Sequence, residues 1–164
     1  MAESVHAGAS RTLLDRIEQA ALLLAALSLG GVVACQAWQV FSRYVLNAAP
    51  SWTDPAALLL IANAAMLGAA VVTRREAHFA FAGLVSAAPP PLARALRCFS
   101  DATLIALGLA LLWIGGTLAA GDLHVAMAGV PLPVGMRYLP MCMGGALIAL
   151  FAGERLALRL RGDA

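Results

Sequence analysis

Four stretches of the chain, 19–42, 55–73, 102–120 and 134–153, contain no Asp, Glu or Lys and no Arg except Arg137, one turn into the last of them. A helix rises about 1.5 Å per residue, so about 20 apolar residues cross the roughly 30 Å of hydrocarbon in a bilayer. Backbone polar groups inside lipid must bond within their own segment, which makes each run a helix. The expected fold is therefore an all-α integral membrane protein, with residues 1–164 forming one domain of four transmembrane helices. Composition agrees: 62% of residues are hydrophobic and 12% charged, the mean hydropathy is +0.84, and no water-soluble core of this size is built that way.

The connections carry helix-end signals. Asp54 before Pro55 reads as an N-cap with proline at the first helical position, where a missing N–H costs nothing. Pro131 and Pro133 play the same part before the fourth span, and Pro140, inside its early turns, predicts a bend or a loosened first segment. Between the second and third spans, EAHFAFAGLVS at 76–86 is too short to cross a bilayer and apolar enough to lie at its surface. It is read as a short interfacial helix, ended by the three prolines at 89–91. Val32-Val33-Ala34-Cys35 resembles a lipoprotein cleavage box, but apolar sequence continues through Val40 and Phe41, which favours one full-length span.

Arginine placement orients the bundle. Arg11, Arg16, Arg74, Arg75, Arg94, Arg97, Arg155, Arg159 and Arg161 fall on one side of the four spans, and Arg43 and Arg137 on the other. By the positive-inside rule the expected topology has both termini cytoplasmic. The net charge of +2 comes with no lysine at all and carries no signal for nucleic acid.

Polar groups within the spans are few. Asn63 lies in the middle of the second span, where its amide needs a partner, so an interhelical hydrogen bond is expected. Ala64 and Gly68, Gly115 and Gly116, and Gly144 and Gly145 permit close helix approach. Gln36 and Gln39 reach toward headgroups or water. Glu18, Asp101 and Glu154 sit at cytoplasmic helix ends as candidates for interfacial ion pairs, with Arg97 one turn before Asp101. Cys35, Cys98 and Cys142 are widely spaced and form neither a metal set nor a disulfide framework. His6, His78 and His124 lie in a tail and two loops, so paired axial haem ligands are missing. With no ionisable group at mid-depth and no catalytic set, the expectation is a non-enzyme without cofactor or metal, whose chemistry lies in a partner.

The join FSRYVLNAAPSWTDP at 41–55 brings Arg43, Tyr44, Trp52 and Asp54 to one membrane edge. Two readings stand. Arg43 snorkels, Trp52 joins the aromatic belt and Asp54 caps its helix; or Arg43 and Asp54 tie the first two helices together and shape an edge that faces a partner.

FSRYVLN, then a proline and a Trp-Thr-acid helix start, then Arg74-Arg75-Glu76-Ala77-His78 after the second span, then GVPLPVGMRYLP opening the fourth, together resemble the small membrane subunit of tripartite ATP-independent periplasmic (TRAP) transporters. The resemblance runs over roughly residues 12–160 and preserves the order of all three signatures. It departs at Pro55, where the family usually has a second acidic residue, and at Ala82, where an acid commonly stands four positions after the loop histidine. Those departures remove one carboxylate of a surface pair and one partner for Arg74 or Arg75. The resemblance implies a scaffold in the bacterial inner membrane, holding a large multi-span subunit that carries the sodium and substrate sites, while a periplasmic solute-binding protein delivers an organic anion. It also implies interface or structural roles for Arg43, Tyr44, Trp52, Asp54, Asn63, Arg74, Arg75, His78, Arg137, Tyr138 and Pro140, with membrane lipid as the remaining contact. The alternative is a membrane anchor for a peripheral enzyme.

Overall fold

A computed structural model describes residues 2–48, 50–75, 89–127 and 129–160, with side chains for all but the first eleven of these positions and residues 90, 91 and 160. Among the described residues the fold is all-helical: α1 spans Ala2–Tyr44, α2 Thr53–Arg74, α3 Pro90–Gly121, and α4 Leu139–Leu160 after a 3-10 segment at Val134–Tyr138. Four segments are long and apolar enough to cross a membrane: Leu13–Tyr44, Thr53–Arg74, Leu92–Gly121 and Val134–Arg159. The segment 76–86, expected as an interfacial helix, and with it His78 and Ala82, lie outside the described residues.

Two helices outrun their apolar stretches. α1 has 43 residues and α3 has 32, about 64 Å and 48 Å of helix. Both extend past their apolar stretch at the N-terminal end, α3 as far as the prolines at 89–91, while α1 closes at Tyr44, shortly before Asn47 in a left-handed conformation. Pro140 behaves as expected. The chain enters α4 through the 3-10 turn, whose i→i+3 bonding suits the position just before a proline that cannot donate.

The helices are packed in the order α1, α2, α4, α3, and the two outer helices make no comparable contact with each other. α2 and α4 form the centre of this open row. Adjacent glycines explain why α4 sits inside it. Successive helical residues point about 100° apart, so Gly144 and Gly145 bare two different faces of one helix. A Cβ on Gly144 would lie 2.6 Å from Met66 Cβ of α2, and one on Gly145 would lie 2.7 Å from the Gly108 carbonyl oxygen of α3. Gly68 and Gly116 were expected to do the same, but nothing lies within 4 Å of where their Cβ atoms would be. Their helical phase turns them off the seams.

The buried core gathers toward one end of the row. Ala21, Ala25, Leu67 and Val71 interlock α1 with α2, and Ala70, Ile148 and Phe151 join α2 to α4 beneath Leu14, Ile17 and Leu104. Most of the outer surface of α1 and α3 is exposed and apolar, including Leu23, Leu27, Val33, Leu109 and Trp113, as a lipid-facing helix surface must be. At the other end, the α3–α4 connection folds back on itself through a bridge between Ala126 and Pro133. Gly129, at φ +85°, is pressed against the α1–α2 connection, where a Cβ would come within 2.4 Å of the Ser51 carbonyl oxygen.

The seams predict an asymmetric glycine response. Gly145→Leu overpacks against the α3 backbone and should cost about 1–3 kcal/mol or more, whereas Gly116→Leu, into open space, should change stability by less than about 0.5 kcal/mol. Thermal unfolding of the purified chain in detergent checks the order.

Candidate functional site

Arginine at the end of an apolar helix must find acid or water. Arg74, the last residue of α2, is 13% exposed and finds three carboxylates. Its Nη2 lies 2.6 Å from Asp15 Oδ1, its Nη1 2.7 Å from Glu18 Oε2, and its Nε 3.4 Å from Glu154 Oε2. The guanidinium also lies 5.5 Å from the centre of the Phe151 ring, a favourable cation–π placement. Asp15 and Glu18 stand one turn apart on α1 and Glu154 belongs to α4, so a single side chain joins three helices. Its rigid fork of donors makes this possible; a lysine ammonium could not reach all three acids with the same geometry.

The network continues on both sides. Arg75 Nε lies 2.6 Å from Glu18 Oε1, a pair open to water with Arg75 54% exposed. Arg155 Nη1 donates to the Thr73 backbone carbonyl, one of the last-turn oxygens that α2 cannot bond internally. Arg155 Nη2 and Arg159 Nη1 reach Asp101 of α3 at 3.1 Å and 2.9 Å, and Asp101 is fully buried. Ion pairs and one backbone bond therefore run from α1 through α2 and α4 to α3. Glu18, Asp101 and Glu154 do form interhelical ion pairs. The partner expected for Asp101 was Arg97, and that reading is corrected: an i, i+4 pair on one helix gains little, whereas arginines of the neighbouring helix reach a buried carboxylate. The acid missing at Ala82 is likewise no loss to Arg74, because its carboxylates come from α1 and α4.

At mid-depth Asn63 Nδ2 donates to Ser28 Oγ at 2.7 Å, joining α2 to α1 as expected. Such a bond in lipid is worth about 0.6–2 kcal/mol and fixes register as well. Thr73 and Thr103 return their hydroxyls to carbonyls four residues earlier, and Thr117 to one three earlier, so none of the three is left unbonded in an apolar setting.

The opposite end differs from its sequence reading. The residue capping α2 is Trp52, not Asp54, and no side chain bonds the cap. The helix begins at Thr53, whose hydroxyl donates to the Pro50 carbonyl at 2.9 Å. Asp54 falls in the first turn, where the helix dipole favours a carboxylate, and accepts a 2.7 Å hydrogen bond from Gln39 Nε2 of α1. Helices α1 and α2 are thus tied at this end, but by Gln39. Arg43 is exposed and makes no ion pair among the described residues. Tyr44 is 81% exposed and Trp52 44% exposed; Arg137 is exposed, Tyr138 half-buried and Pro140 buried. No grouping of three or more His, Cys, Asp or Glu suited to a metal ion occurs among the described residues.

Gln39 and the Arg155–Asp101–Arg159 set were missed because a glutamine near a helix end and charges 54 residues apart give no local signal. Only the antiparallel pairing of α3 with α4 brings the latter together. Removing Arg74 takes from Glu154 its arginine, leaves Glu18 with Arg75 alone and Asp15 with water, so Arg74→Ala should destabilise by up to about 3–5 kcal/mol, while Arg75→Ala should cost about 0–1 kcal/mol. Denaturant unfolding in mixed micelles checks this; equal costs would contradict a centre at Arg74.

A search of curated proteins finds no match to the chain. A family does match: residues 32–162 fit the family described as "Tripartite ATP-independent periplasmic transporters, DctQ component". That range holds all of α2, α3 and α4 and each of the three signatures. The chain belongs to the DctQ component family of tripartite ATP-independent periplasmic transporters.

Proposed function

We propose that the chain is the small scaffold subunit of a TRAP-type secondary transporter, which takes up an organic anion such as a carboxylate at the expense of an ion gradient and not of ATP. In this reading it holds a large multi-span subunit in the bacterial inner membrane, and a periplasmic solute-binding protein supplies the substrate. The observation that carries the proposal is where the polar chemistry sits. Within the described spans the mid-depth polar pair, Asn63 and Ser28, is spent on holding α1 to α2. The carboxylates of Asp15, Glu18, Asp101 and Glu154 are engaged by arginines at one end. Such groups serve assembly, and a solute-binding relay at mid-depth would have to come from another chain.

The open row supports the same role. A self-contained carrier closes around its substrate, whereas α1, α2, α4 and α3 lie side by side and leave broad apolar faces for lipid and for another subunit. Nine arginines against two support, by the positive-inside rule, a topology with the Arg74 network on the cytoplasmic side and Arg43, Tyr44, Trp52 and Arg137 at the periplasmic edge. There the exposed Arg43 and Trp52 are the side chains this reading assigns to the large subunit.

Three results test it. On a cysteine-free background, a membrane-impermeant thiol reagent should label Leu46→Cys and Val125→Cys in intact cells and leave Ser86→Cys untouched; the reverse pattern would invert the topology. Reconstituted alone, the chain should give no sodium-coupled carboxylate uptake, and uptake should appear with the large subunit and binding protein present. Arg43→Ala should lower co-purification of the large subunit; unchanged yield and uptake would reduce Arg43 to a marker of the membrane edge.

A further inference from the structure

Charge is not spread evenly over the Arg74 end. Around α1 and α2, Asp15 and Glu18 face Arg16, Arg74 and Arg75, and Arg74 draws Glu154 of α4 as well, which nearly balances. Around α3 and α4, Arg94, Arg97, Arg155 and Arg159 stand against two acids among the described residues, Asp101, held by Arg155 and Arg159, and Glu154, drawn to Arg74. Arg94 and Arg97 are exposed and make no ion pair among the described residues. They precede Asp101 by seven and four positions, a spacing that keeps all three on the stripe of α3 that turns toward α4. The opposite stripe is apolar: Phe99, at the level of the arginines, is 72% exposed, and Trp113, deeper along the helix, is 76% exposed, so this helix meets lipid along its outer side.

We propose that Arg94 and Arg97 bind the phosphate of an anionic phospholipid at the surface of the membrane. The site has the two parts such a ligand needs. Guanidinium groups match phosphate oxygens in bidentate geometry, and the exposed Leu92 and Phe99, at the same level on the other side of the helix, keep this segment in contact with acyl chains. Asp101 cannot neutralise the pair, because Arg155 and Arg159 already hold it. A zwitterionic lipid brings a cation along with its phosphate and gains less from a net-positive patch. The two arginines therefore do more than orient the chain: they attach the α3 edge of the row to the anionic component of its leaflet. Which leaflet that is rests on the topology proposed above; the binding itself does not.

The full-length chain is placed in nanodiscs of phosphatidylcholine mixed with phosphatidylglycerol, which are symmetric, so the outcome is independent of topology. Lipid retained after detergent extraction is then counted by native mass spectrometry. Phosphatidylglycerol should be enriched over phosphatidylcholine, each of Arg94→Gln and Arg97→Gln should lower that enrichment about fivefold, and the double variant should abolish it. Arg94→Lys with Arg97→Lys should keep most of it, as should Arg16→Gln, and helix content by circular dichroism should match wild type throughout. Equal retention of the two lipids, or enrichment that survives the double glutamine variant, would overturn the proposal. Displacement of the bound lipid by millimolar inorganic phosphate would also overturn it, since the site would then belong to a soluble anion.

Discussion

Lipid tails are as apolar as leucine, so nothing in a bilayer drives two apolar helices together for the sake of burying them. Helices in such a solvent need small residues that let backbones touch, or polar groups with nowhere else to go. Arg74 is the point where the second kind of force is strongest. It is 13% exposed at the end of α2 and bonded to acids from both neighbours of that helix. Continuation through Arg155 and Arg159 to Asp101 extends the same logic to α3. Charged pairs of this kind add modest net stability, because desolvation offsets their attraction, but a pair left half-made is costly. They specify which helix ends must meet, and so they fix the order of the row.

The remaining contacts are consistent with that order and weaker. Gly144 and Gly145 let α4 press against α2 and α3 at once, Asn63 and Ser28 hold α1 and α2 in register at mid-depth, and Gln39 and Asp54 join them at the far end. The core side chains Leu67, Val71, Ile148 and Phe151 cluster on the Arg74 side of the row. The structure is therefore tight at one end. At the other, side chains such as Arg43 and Tyr44 stand exposed, and the connections rest on each other at Gly129 and Ser51.

The spans were legible because the property that defines them, apolar length, is carried by each segment separately. The loosened entry to α4 at Pro140 and the partner need of Asn63 were legible for the same reason. What failed to read through was relational. Asp54 looked like a cap because Asp-Pro so often starts a helix, yet the bond from Thr53 to the Pro50 carbonyl lets the helix begin earlier and frees Asp54 for Gln39. The Asp101 pairing and the idle glycines Gly68 and Gly116 depend on which helix lies beside which, and four apolar spans allow several arrangements. The signatures that placed the chain among DctQ components fall at helix ends, which is where the structure keeps its polar chemistry.

That the row is open, and that Arg74 holds it so, can be tested by a distance. Spin labels at Leu27 of α1 and Leu107 of α3, both exposed at mid-depth, are separated by α2 and α4. Helix axes in contact lie about 8–10 Å apart, so the row predicts a narrow distance distribution centred at roughly 20–30 Å, and Arg74→Gln should broaden it. A separation under about 15 Å would mean that α1 and α3 pack together in a closed bundle, and a wild-type distribution unchanged by Arg74→Gln would mean that the row is held by something else.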